Sequence, residues 1–150
     1  MTDPIHVKIS EENVVKSLRR LARVTTNLRP LMLEISEIML AEVEDNLEAE
    51  GRPTWPELSD ATIAARQRKG YWPGKILQMR GELAASLQNN ATNDTATVST
   101  NKVYAAIQHF GGWAGRNREV WIPERPYMEI SSIAVQEIMD AVERYIDRNL

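Results

Sequence analysis

The sequence predicts an α+β fold in which three longer helices, supplemented by short helices, pack with a small, mostly antiparallel sheet. Three observations carry that prediction. Apolar residues recur at helical spacing in three long segments, around Val14–Ala22, Leu28–Leu47 and Ala134–Ile146. Two Thr-rich runs flank Asn93-Asp94, which is the pattern of a hairpin with a tight turn. No repeat, low-complexity tract or composition shift divides the 150 residues, and that length suits a single domain over 1–150.

The elements follow in order. Ile5, Val7 and Ile9 alternate with His6 and Lys8, which predicts a short strand buried on one face. Ser10 is the expected N-cap of a first helix, with Glu11 and Glu12 favourable at its positive end. That helix runs to about Val24, where Thr25, Thr26 and Asn27 interrupt the period. Pro30 fits only near a helix start, so the second helix runs from about Leu28 to Ala49 and stops near Gly51. Leu28, Leu31, Met32, Ile35, Met39 and Val43 form its apolar stripe, which Leu33, Leu40 and Leu47 widen. A surface helix needs only one such stripe. Two readings stand: a central helix packed on two sides within its own domain, or a helix that lends part of this face to another copy.

Pro53 and Pro56 punctuate a loop, after which Ser59 caps a helix through Arg68 that Gly70 ends. Beyond the loop Tyr71–Lys75, a turn of helix is expected, with Ile76, Leu77, Leu83 and Leu87 as its apolar contacts. The predicted hairpin pairs Gln88–Thr92 with Thr95–Thr100. Tyr104–Phe110 reads as a short helix stopped by Gly111-Gly112. Trp113–Arg118 is polar and Gly-containing, and reads as a mobile loop. Val120-Trp121-Ile122 reads as a compact apolar strand, and Pro123 and Pro126 impose an extended path after it. Ser131 or Ser132 caps the last helix, whose buried face is Ala134, Ile138, Ala141, Val142, Tyr145 and Ile146.

Composition removes several classes of function. With no Cys, disulfide frameworks, thiol catalysis and Cys-ligated zinc are excluded. A net charge of -3 argues against a general nucleic-acid binder held by phosphate neutralisation. No stretch approaches the roughly 20 apolar residues that cross a bilayer, so no membrane partner is expected. Met1–Ser10 lacks a basic segment followed by an apolar run, which implies a chain that is made and stays in a cytoplasm. The two histidines, His6 and His109, lie far apart, and the glutamates of the second helix read as a solvated face rather than a metal site. No nucleophile, base and orienter stand together. Gly111-Gly112-Trp113-Ala114-Gly115 lacks both the ending and the preceding strand of a phosphate-binding loop. No catalytic, cofactor-binding or metal residue is assigned, and the chain is read as a non-enzyme without a cofactor.

Charge placement says more than the net charge. Arg66, Arg68, Lys69, Lys75 and Arg80 share an acid-free stretch with Tyr71 and Trp72. Trp113, Arg116, Arg118, Trp121 and Arg125 form a second basic and aromatic stretch. Arginine among aromatics suits an acidic protein surface, ordinary solvated loops, or stacked bases; the first is preferred and nucleic acid ranks last. The second helix bears Glu34, Glu37, Glu44, Asp45 and Glu48 without a compensating base. Complementary copies joined head to tail would close a ring. Candidate interface residues are therefore Arg66, Arg68, Lys69, Trp72, Lys75, Arg116 and Arg118.

Several blocks resemble one family. They are Gly51-Arg52-Pro53-Thr54-Trp55-Pro56-Glu57-Leu58-Ser59 with Thr62 and Arg66, and Ile76-Leu77 with Gly81, Leu83, Ser86 and Leu87. More specific are Tyr104-Ala105-Ala106-Ile107-Gln108-His109-Phe110-Gly111-Gly112 and Ile122-Pro123-Glu124-Arg125-Pro126-Tyr127-Met128. Their order and spacing over roughly Asp45 to Ser131 resemble the phage virion morphogenesis family. The resemblance implies a structural protein of the virion neck or tail end. Such a protein forms a homo-oligomeric ring on the tail tube, stops its growth and prepares it to join the head. Its implied partners are tail-tube and head–neck proteins. A head-side connector or closure adaptor is the near alternative, and a small DNA-binding factor is the alternative of another class.

The resemblance also implies roles for the motif residues. Gln108 and His109 satisfy backbone groups where the short helix meets Gly111-Gly112. Arg125 pairs with a carboxylate and fixes the Pro123–Pro126 crossing, a fold role preferred over direct contact with a partner, with Tyr104, Phe110 and Tyr127 alongside. Trp55, Trp113 and Trp121 are packing residues, and Trp72 is the expected interface aromatic.

Overall fold

The computed structural model describes residues 11–23 and 27–149. Among them run six α-helices: α1 Glu12–Ala22, α2 Arg29–Glu48, α3 Asp60–Arg68, α4 Glu82–Ser86, α5 Ala105–Phe110 and α6 Ser132–Asn149. Four strands accompany them: β1 Gln88–Ala91, β2 Ala96–Ser99, β3 Gly112–Ala114 and β4 Val120–Ile122. The class is α+β, as expected, with α1, α2 and α6 as the three longer helices. The expected strand at Ile5–Ile9 and its Ser10 cap lie outside the described residues, as do Thr25 and Thr26. Instead of one small sheet, the strands form two separate antiparallel pairs, β1–β2 and β3–β4.

The chain groups into two compact units. One takes the described residues of 6–42, with 88–99 and 129–149. Here α1 ends at Ala22, two residues before the expected stop, and buries Val14 and Leu21. In α2 every residue of the narrow stripe, from Leu28 to Val43, is buried, while Leu33 stays exposed. Each such burial contributes about 1.5–3 kcal/mol, so this stripe is spent inside the chain. The β1–β2 register pairs Asn89 with Val98 and Ala91 with Ala96 on one face. Asn89 donates to the buried Ser36 hydroxyl at 3.0 Å, which ties that face to α2.

Helix α6 buries Ala134, Ile138, Ala141, Val142 and Ile146, with Tyr145 half-buried. Its cap is Ser131, whose hydroxyl accepts from the Ala134 amide at 3.2 Å. The Ser131 amide in turn donates to the buried Glu42 carboxylate at 3.1 Å, a placement that the positive helix end favours.

The other described unit comprises 43–87 and 100–128. Its buried apolar side chains include Val43, Leu47, Trp55, Ile76, Leu83, Leu87, Ala105, Tyr127 and Met128. Ser59 caps α3 as expected, accepting from the Thr62 amide at 3.3 Å. Helix α4 is shorter than the sequence suggests. Leu77 sits at φ 63, outside helical space, and the Ile76 amide is taken by the Glu50 carboxylate at 2.8 Å. Only after Gly81 does a helical turn form.

Residues 113–118, expected as a loop, are instead ordered into β3 and a 3-10 turn at Arg116–Arg118. The register pairs Gly112 with Ile122, Trp113 with Trp121, and Ala114 with Val120.

Candidate functional site

The motif residues meet in the 43–87 and 100–128 unit, around a clamp between two proline-bearing segments. Pro123 and Pro126 keep the Arg125 segment extended, whereas the Trp55 segment turns through residues 51–54 and its Trp55 amide bonds back to the Glu50 carbonyl at 3.0 Å. The buried Trp55 indole donates to the Pro126 carbonyl at 3.2 Å. The Arg125 guanidinium donates to the carbonyls of Pro56 at 3.0 Å and Glu57 at 2.9 Å. Arg125 thus has the fold role expected of it, but through two carbonyls rather than a carboxylate. Burial, and then the charge of Arg66, hold its pKa below the ordinary arginine value.

Tyr127 closes the clamp. Its hydroxyl donates to the Ala105 carbonyl at 2.8 Å, and its own carbonyl accepts from Asn46 at 2.9 Å. His109 stacks edge-on against Tyr127 at 5.3 Å and accepts from the Met128 amide at 3.3 Å through Nδ1. His109 therefore satisfies a backbone group, although at Met128 rather than at the glycine pair. The Gln108 carbonyl accepts from the Arg125 amide at 3.0 Å.

Burial, followed by the nearby Tyr104, pushes the Tyr127 phenol far above the ordinary tyrosine range. A folded-state pKa above the unfolded one stabilises the fold below pH about 10, and that contribution is lost as pH rises further. Tyr127→Phe is expected to cost about 0.5–1.5 kcal/mol at neutral pH, since it removes the buried hydrogen bond to the Ala105 carbonyl. The gap in melting temperature between wild type and variant should then narrow above pH about 10. A gap that does not change with pH would contradict this account of the phenol.

The expected interface residues divide. Arg66 is buried, donates to the Lys75 carbonyl at 2.8 Å, and lies below the ordinary arginine pKa because burial outweighs Glu50. Lys75 is held by the carbonyl and carboxylate of Glu48. Trp72 is half-buried and shares a hollow with Trp55 and Ile76. Arg68 and Lys69 are exposed.

A cleft of about 360 Å³ brings Arg66, Lys69, Arg80 and Arg125 together over Leu77, Leu83 and Ile122, with Glu82 as its acid. Tyr104 also lines it, its phenol pushed up by burial and then by Glu82. The cations of one sequence stretch are therefore partly structural, and only part of the set faces outward.

Trp113 and Trp121 are not packing residues. They are 60% and 58% exposed, and their rings meet each other at 5.2 Å. Phe110 and Val120 are also exposed, at 66% and 54%. The 3-10 turn at the tip of this ribbon presents Arg116 and Arg118 to solvent. Arg118 holds φ 54 there, a conformation that costs a residue with a side chain about 1–3 kcal/mol. The sequence signal for this surface was the spacing of two tryptophans around a Gly-containing turn, which the expectation of packing obscured.

Among the described residues, no buried side-chain nitrogen or oxygen lacks a hydrogen-bond partner. Buried polar groups are thus committed to the fold, and bare aromatics and arginines mark the surface. The class is that of a phage structural assembly protein: the chain belongs to the phage virion morphogenesis family, whose model matches residues 9–147. The match reaches well beyond 45–131 and takes in α1 and all but the last two residues of α6.

The chain is similar to the Mu-like prophage FluMu G protein 2 of Haemophilus influenzae, with 35% identity over 142 residues, 94% of this chain and 95% of that protein. It is also similar to the putative capsid assembly protein G of Escherichia phage Mu, with 30% identity over 155 residues, 100% of this chain and 99% of that protein. No solved structure matches the chain. Among the described residues, no helix is long and apolar enough to cross a membrane.

Proposed function

We propose that this protein is a non-enzymatic tail-completion or neck component that acts as a ring of copies. It caps the tail tube in the host cytoplasm, and its exposed surfaces then receive head–neck proteins. Family membership supports the phage assembly role. The observation that carries the reading further is the bare aromatic and arginine surface at Trp113, Trp121, Arg116 and Arg118. Trp and Arg are the residues that dominate protein interfaces. The motif residues Trp55, Arg125 and Tyr127 serve by holding the unit that displays this surface.

The phage Mu relative is a putative capsid assembly protein, which favours a second reading, a closure adaptor on the head side. One experiment separates the two. Inactivating the gene in an inducible phage that carries it, followed by electron microscopy of the lysate, is expected to leave filled heads and unjoined tails of irregular length. Emptied heads beside tails of normal length would transfer the protein to the head side. Normal joined particles would sink both readings.

A further inference from the structure

We propose that the β3–β4 ribbon of one copy docks on the first turns of α6 in a second copy, in a head-to-tail contact. The inference rests on the ring reading and names its contact. The register sets Trp113 opposite Trp121 on one face of the ribbon, with Val120 and Ile122 on the other. Ile122 turns into the cleft, whereas the two indoles touch each other and remain more than half exposed. A two-stranded ribbon is marginal alone and gains from a cover on its open face. Bare aromatic patches of this kind mark docking surfaces.

The tip selects the occupant. Arg116 and Arg118 enter no ion pair among the described residues, and Glu119 is the single acid in the turn. The cover must therefore be acidic and carry an apolar side chain for the indoles. This chain has such a surface itself. Ile133 is 72% exposed and leads a stripe with Gln136, Glu137 and Asp140, all exposed and all on one side of α6 by helical spacing. The acidic face of α2 fits less well. Contrary to expectation, Glu34 and Glu48 there are already paired with Arg144 and Lys75, and Leu33 is only 36% exposed. Ribbon and stripe are different patches, so their contact is heterologous and can repeat from copy to copy, as the ring reading requires.

The test uses the purified full-length chain and sedimentation or native mass spectrometry. Trp113→Ser/Trp121→Ser should weaken self-association about 30-fold or more, as loss of a central hot spot does. Ile133→Asp should do the same. Both changes are at exposed positions, and circular dichroism checks that each variant is folded. The decisive result is the mixture: the ribbon variant and the stripe variant, each monomeric alone, should form a one-to-one dimer. As a second variant pair, Arg116→Glu/Arg118→Glu should lose association and regain it when mixed with Glu137→Arg/Asp140→Arg.

Wild-type chain that associates as strongly as the Trp variant would overturn this contact and leave the ring reading standing. Wild-type chain that stays monomeric, and gives no cross-link between Cys introduced at Trp121 and at Ile133, would overturn both. Monomeric chain whose retention on double-stranded DNA is lost with the two tryptophans would assign the ribbon to nucleic acid and overturn the proposal.

Discussion

Arg125→Ala is expected to lower stability by about 2–4 kcal/mol, because two hydrogen bonds from a charged donor are lost together. The guanidinium is 5% exposed and bridges the Pro56 and Glu57 carbonyls, 69 and 68 residues away in sequence. Truncation strands both carbonyls and opens a void beneath them. Lysine would not repair the site, because a point donor cannot span two carbonyls as a planar fork does. Arg125→Lys should therefore recover less than half of the loss.

Trp55→Phe removes the indole donor to Pro126, one residue from Arg125. The two changes should be non-additive in a double-mutant cycle, since both bonds hold the same pair of segments. Chemical denaturation measures all of these variants. A loss below about 1 kcal/mol for Arg125→Ala, the size of a single ordinary hydrogen bond, would show that the clamp does not hold the unit together.

Local sequence carried a good part of the fold. The limits of α2, the Ser59 cap, the β1–β2 hairpin and the buried face of α6 rest on spacing and turn chemistry within a few residues, and these were legible. The departures involve partners distant in sequence or elements too short to show a period. Strands β3 and β4 have three residues each, so neither displays alternation. Val120-Trp121-Ile122 reads as core by composition, and only the pairing register reveals that Trp121 joins Trp113 on an open face.

Glu42 looks like one more helix glutamate until its partner, the Ser131 amide 89 residues on, comes into view. The block around His109 and Arg125 was recognised, yet the bonds it makes run to Pro56, Glu57 and Met128. Of the candidate interface residues, Arg116 and Arg118 lie exposed, whereas Arg66 is buried against the Lys75 carbonyl and Lys75 is engaged by Glu48 at the surface. Helical and strand periods encode burial within one chain. They do not say which bare residues a second chain covers.

The two adjacent glycines of the motif should respond very differently to Ala. Gly111 ends α5 at φ 70, and a Cβ built there lies 2.6 Å from the Glu124 nitrogen and 2.8 Å from the Ile122 oxygen. Both obstacles are backbone, so no rotamer change relieves them. The left-handed conformation costs about 1–3 kcal/mol and the overlap a similar amount, for a total of roughly 2–6 kcal/mol. At Gly112 the φ of 142 is also unfavourable for a side chain, but the nearest atom, Ile107 Cδ1, is 3.9 Å away. Gly112→Ala should therefore cost only the backbone strain, about 1–2 kcal/mol.

Gly111→Ala should also loosen the bond from the Arg125 amide to Gln108, because its new methyl pushes on the strand exit that places Arg125. Hydrogen exchange at Arg125 should accelerate in that variant and not in Gly112→Ala. Equal losses at the two positions would mean that close backbone approach at Ile122–Glu124 is not what demands glycine. In that case the pair serves the turn alone, and the clamp would not depend on it.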